Sequence, residues 1–150
     1  MRTSAQRFTV ITTAAGALMA LTAFGAAPAG AAATAVTPES VCGSGYSRVD
    51  SHVFRKSPTV ELARVHLLYN ASSGSNCVVT LHSSTTAGQA MKTGTWITAS
   101  GGSQKKDQDI YSSYAGPVRA PGAGRCVKWG GMIEAGVATY TYTSPWEHCG

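Results

Sequence analysis

The chain has 150 residues, with 12 Lys and Arg against 7 Asp and Glu and 43% hydrophobic residues. Once a leader is set aside it is too short for two ordinary domains. Its basic residues are too few and too scattered for a nucleic-acid footprint, and beyond the leader no apolar run is long enough to span a membrane.

Met1–Arg7 carries Arg2 and Arg7 and no acid, Phe8–Ala27 is almost free of charge, and Ala33-Thr34-Ala35 gives a small-residue ending. That layout predicts a secretory signal peptide over residues 1–35. A retained membrane anchor fits less well, given the Gly and Thr content and the A-x-A ending. Removing 35 of the 150 residues leaves a mature domain of 115, residues 36–150, expected to be secreted and free of membrane.

Val36–Ser40 reads as a loose polar lead-in. Val41–Tyr46 turns on Gly43 and Gly45, and Ser47–Phe54 alternates as a first strand with Val49 and Val53 inward. Arg55–Pro58 is a turn. Thr59–Asn70 and Asn76–Ser83 form a β-hairpin around Ala71–Ser75, carrying the densest apolar and β-branched signal of the mature chain. Within it, Glu61–Leu68 also admits a helical turn.

After the polar connection Ser84–Gln89, Met91–Ala99 is a strand with Trp96 and Ile97, and Ser100–Asp107 an exposed turn. Asp109–Ala115 returns as a strand, broken at Gly116-Pro117. A sharp loop at Pro121–Gly124 leads to the strand Arg125–Trp129. Gly130-Gly131 reverses the chain into a last strand, Ala135–Thr143, with Val137, Thr139 and Thr141 on one side; Ser144–Gly150 is a tail. About seven short strands between Gly-, Pro- and Ser-rich turns predict an all-β sandwich or small barrel.

Cys42, Cys77, Cys126 and Cys149 all lie in the exported part, an even number in an oxidising compartment, so two disulfides are expected. Three pairings are open; proximity along the chain favours Cys42–Cys77 and Cys126–Cys149, each worth roughly 3–4 kcal/mol by loop entropy. No C-x-x-C supports a metal site.

Chemistry is harder to find. His66 and His82 sit on the two hairpin arms and, with Asp50 or Glu61, form a weak metal candidate; surface histidines explain them as well. No G-x-S-x-G elbow occurs, Gly43-Ser44-Gly45 reads as a turn, and Asp107 and Asp109 as a solvated loop, so no catalytic residue, metal ligand or cofactor is assigned. Asn70-Ala71-Ser72 matches a glycosylation acceptor but explains itself as a turn. The aromatics say more: Tyr140 and Tyr142 share a strand face, and Trp129 and Trp146 stand near in sequence, a candidate row for stacking on a sugar. Core packing is the competing account.

The segments V-C-G-S-G-Y (Val41–Tyr46), L-L-Y-N-A-S (Leu67–Ser72), N-C-V-V-T-L (Asn76–Leu81), Y-A-G-P-V (Tyr114–Val118), R-C-V-K-W (Arg125–Trp129) and Y-T-S-P-W-E-H-C-G (Tyr142–Gly150) resemble, in that order, the spore-associated protein A family. These are small secreted proteins of spore-forming filamentous actinobacteria. The resemblance implies export and residence at the spore or aerial-hypha surface, and carries no catalytic residue with it. A non-enzymatic surface protein is therefore expected, with a cell-wall or spore-surface polymer as its partner. A carbohydrate-binding module and a small secreted hydrolase are the alternatives.

Overall fold

A computed structural model describes residues 35–150; of the expected signal peptide, all but Ala35 lies outside the described residues. The described chain is all-β apart from one helical turn. In order it runs α1 (Pro38–Cys42), β1 (Ser47–Ser57), β2 (Val60–Asn70), β3 (Ser75–His82), β4 (Met91–Ala99), β5 (Lys105–Tyr111), β6 (Tyr114–Pro121), β7 (Val127–Ala135) and β8 (Ala138–Thr143). The described residues form eight strands rather than seven. They form two four-stranded sheets, β1-β2-β3-β6 and β5-β4-β7-β8, every pairing antiparallel.

The sheets close on a core of Phe54, Leu62, Val65, Leu67, Val78, Ile97, Val127, Trp129 and Ile133. A second, smaller cluster of Cys42, Leu68, Cys77 and Val79 lies on the opposite face of β2 and β3. The hairpin is therefore buried on both faces, which is why its sequence runs apolar rather than alternating. The disulfide Cys42–Cys77 ties α1 onto that outer face. Cys126–Cys149 ties the tail to the start of β7.

Val36–Ser40 is not a loose lead-in. Thr37 caps α1: its Oγ1 accepts from the Ser40 amide at 3.1 Å, and the Ser40 hydroxyl oxygen accepts from the Thr37 amide at 3.0 Å. Pro38 comes next, in the first turn, where its missing N–H costs nothing.

In β1 the alternation slips at a bulge between Arg48 and Asp50. Val49 is turned out to 45% exposure, Val53 faces the outer side opposite Arg64, and Phe54 rather than either valine supplies the core side chain. The same strand absorbs the expected turn at Arg55–Ser57, and the reversal falls at Pro58-Thr59. Glu61–Leu68 is strand throughout.

The expected strand Asp109–Ala115 is divided. It ends at Tyr111, and Ser112-Ser113 carries the chain from the second sheet to the first. Gly116-Pro117 is no strand break: it lies inside edge strand β6, at a bulge, with a cis peptide bond. The amide of Gly116 donates to Asp107 Oδ2 at 2.6 Å, fastening β6 to β5.

Gly130-Gly131 is not a turn either. Both residues are buried in the middle of β7, an inner strand. A Cβ on Gly130 would overlap the Tyr142 carbonyl oxygen, and one on Gly131 would overlap Thr80 Oγ1 on the facing sheet. The glycines are there for close approach. Beside Gly131 the sheets are joined directly: Thr80 Oγ1 donates to the Gly94 carbonyl at 2.9 Å. The reversal occurs instead at Gly136-Val137, which leaves Val137 fully exposed.

Candidate functional site

β8 alternates Ala-Thr-Tyr-Thr-Tyr-Thr. The threonines Thr139, Thr141 and Thr143 face out, while Tyr140 and Tyr142 turn inward and pack against the core, half-buried. Tyr142 stacks on His52 of β1 with ring centroids 3.9 Å apart, and meets Trp129 edge-on at 5.5 Å. Trp129 is completely buried. Of the four candidate stacking residues, these three belong to the seam between β1 and β8. Trp146, 48% exposed, is the most open of the four, and Tyr140 keeps an edge on a cleft of about 430 Å³ that it lines with His52 and Arg55. The row suggested by the sequence thus has its rings turned to the interior, because Thr-Tyr alternation on an edge strand hides the larger, more apolar side chain.

The tail runs back along β7. Glu147 and Val127 exchange backbone hydrogen bonds of 2.8 and 3.0 Å, and Trp129 Nε1 donates to Glu147 Oε1 at 2.7 Å. This places His148, in left-handed backbone conformation at φ 50°, against β1. Its Nε2 lies 3.2 Å from Asp50 Oδ2 and 4.0 Å from Glu147 Oε1. One imidazole and two carboxylates within 4.8 Å of one another are a ligand set of the kind zinc accepts. They equally form a hydrogen-bonded clasp between the tail and β1. A cleft of about 260 Å³ opens beside them, lined in part by Val49, Tyr69 and His148.

The histidines singled out in the hairpin do not meet. His82 pairs with Ala63 across the ladder, on the face toward the second sheet. Both its ring nitrogens are engaged, Nε2 with Thr93 Oγ1 at 2.7 Å and Nδ1 with the Thr86 carbonyl at 3.2 Å. Burial holds its pKa below the ordinary histidine value. His66 lies on the opposite face, 4% exposed, with no partner for Nδ1 among the described residues. Burial, reinforced by the Arg48 and Arg64 guanidiniums, pushes its pKa down to about 4. It lines a pocket of about 280 Å³ with Arg48, Glu61 and Arg64. Glu61 is taken by Arg64 at 3.0 Å and Arg55 at 3.6 Å.

The acids of the Lys-rich stretch part company. Asp107 accepts from the Tyr111 hydroxyl at 2.6 Å, which with burial pushes that phenol up to about 12. Among the described residues Asp109 accepts only from its neighbour, the Ile110 amide. Asn70 Oδ1 accepts from the Ser72 and Ser73 amides and shapes the hairpin turn. Sequence reasoning reached Asp50 but not Glu147 or His148; the adjacent Glu-His before Cys149 was their one visible trace.

The architecture so far is that of a disulfide-locked all-β sandwich with its rings packed inward. No family model matches the chain, and no solved structure does. Spore-associated protein A of Streptomyces coelicolor is 40% identical over 124 residues, covering 79% of this chain and 71% of that protein. The chain belongs to the spore-associated protein A family.

Proposed function

We propose that the protein is a secreted, non-enzymatic constituent of the spore or aerial-hypha surface. The observation that carries this reading is its 40% identity to a spore-associated protein. The body's two cross-links support it, since disulfides persist in oxidising surroundings. Of its four histidines, His82 is bonded at both nitrogens, His52 is stacked on Tyr142 and His148 is held on Asp50, while His66 keeps an Nδ1 without a partner among the described residues. A general base needs a nitrogen within reach of a substrate proton, and His82 has none to spare.

The test is fractionation of a sporulating culture into medium, spore surface and cytosol, followed by antibody detection. Recovery from washed spores, released by detergent or reductant, is the expected result. Recovery from cytosol alone would overturn the reading.

A further inference from the structure

We infer that the outer face of the second sheet is a binding platform for a glycan bearing anionic groups, centred on Trp96. Strand alternation sends Ile97, Trp129 and Ile133 into the core and leaves Trp96 facing out. Across that face one rung of the sheet reads Lys106, Trp96, Gly130, Thr143. The place of a Cβ on Gly130 lies 2.6 Å from Trp96 Nε1 and 2.8 Å from its Cε2. The indole therefore rests over bare backbone, along the sheet rather than standing off it. A ring held that way keeps one face on the protein and turns the other to solvent.

In the next rung Gly94 has no side chain, and Gln108 and Met132 lean over it, with Gln108 Cγ 2.9 Å from where its Cβ would be. Two glycines on neighbouring strands thus keep the middle of this face low and flat. Trp96 Nε1 is not buried and donates to nothing among the described residues.

Charge selects the occupant. Lys92 on this face is paired with Glu134 at 3.2 Å. Lys106 and Lys128 have no carboxylate partner among the described residues. Lys128 Nζ stands 5.2 Å from the ring of Trp146, which brings that exposed indole to the border of the same face. A flat indole with a free N–H, hydroxyls on Thr143 and two unpaired ammoniums suit a pyranose whose C–H face stacks on the ring. Its hydroxyls take the N–H and threonine, and its phosphate or carboxylate groups meet the lysines. A neutral glycan would leave the lysines unused.

This inference rests on the surface reading, since it names the polymer that would hold the protein there, but its test does not depend on where the protein is found. The purified full-length chain is incubated with insoluble wall sacculi, with the same sacculi stripped of anionic polymers by acid, and with chitin. Native sacculi are expected to retain it, salt to release it, and stripped sacculi and chitin to bind about tenfold less. Trp96→Ala is expected to lose about tenfold in affinity and Trp96→Phe less, while Lys106→Glu, at an exposed position, costs roughly threefold and weakens the salt dependence. Thermal melts confirm that each variant is folded; Lys106→Glu keeps the test valid if Trp96→Ala is not. Equal retention on native sacculi and chitin, retention unaffected by Lys106→Glu or by a folded Trp96→Ala, or no retention on any polymer would overturn the proposal.

Discussion

The imidazole of His52 and the phenol ring of Tyr142 lie parallel, 3° from coplanar and 3.9 Å apart, across the one place where strand β1 of the first sheet meets strand β8 of the second. Neither strand has another neighbour on that side, so side chains rather than backbone hydrogen bonds close the seam. Phe54 and Trp129 back the pair edge-on, each at 5.5 Å. Tyr142→Ala removes a half-buried ring and is expected to cost about 2–3 kcal/mol. His52→Ala should cost about 1 kcal/mol, with a coupling of about 1 kcal/mol between the two in a double-mutant cycle. Urea denaturation of the four proteins measures it.

Gly130→Ala should be far worse than its size suggests. The added methyl meets the Tyr142 carbonyl of the neighbouring strand and the Trp96 indole together. The neighbour is backbone hydrogen-bonded into the β7–β8 ladder rather than a flexible side chain, so a loss of at least about 3 kcal/mol, or failure to accumulate folded protein, is expected. Thr141→Ala, one rung away on the exposed side of β8, should stay within about 0.5 kcal/mol of the parent. Circular dichroism melts separate the two outcomes.

Acid should destabilise the protein through His66. Its folded pKa is depressed to about 4 by burial and by Arg48 and Arg64, opposed by Glu39 and Glu61. Unfolded, it takes a proton near its ordinary value of about 6.5. The unfolded state therefore binds more protons between those values. The stability that neutral His66 contributes is complete above pH ~6.5 and is lost progressively as pH falls toward 4, on the order of 3 kcal/mol in all. His52 and His82, also depressed by burial, act in the same direction. His66→Gln should flatten the melting-temperature profile over that range; an unchanged profile would contradict the assignment.

Breaking Cys126–Cys149 with the double Ser variant frees the tail that carries Trp146, Glu147 and His148. A bridge spanning 23 positions should be worth roughly 3 kcal/mol. For a domain of this size that lowers the melting temperature by about 10–20 °C. Limited proteolysis should then cut first between Ser144 and Glu147.

The hairpin was legible in the sequence because Val65–Leu68 and Cys77–Leu81 leave no solvent face to disguise the strand period. The glycines were not. Gly130-Gly131 reads as a turn because glycine serves both reversal and close approach, and only the facing Thr80 and Tyr142, remote in sequence, show which is meant. Val49 and Val53 were misplaced because the inward side of β1 carries Asp50, His52 and Phe54, so the more polar set of side chains is the one turned to the core. The aromatic row was recognised as a row, but which side of β8 faces inward depends on β1, some 90 positions earlier. Asp50 and His148 stand 98 positions apart, so no local spacing announces their contact. Trp96 drew notice only as a strand residue, since its exposure depends on the absence of a side chain on a neighbouring strand.

The crossing at Ser112-Ser113 bears on how the molecule assembles. The first three strands pair with their immediate neighbours, but the first sheet lacks its fourth member until β6 arrives, and β4, already paired with β5, lacks its second neighbour until β7 does. Closing those long loops comes before any reward from the pairings they allow, so folding is slow and late. The first layer is complete only once β6 has reached Pro121 and the second only once β8 has reached Thr143, so most of the polypeptide must be present before either closes.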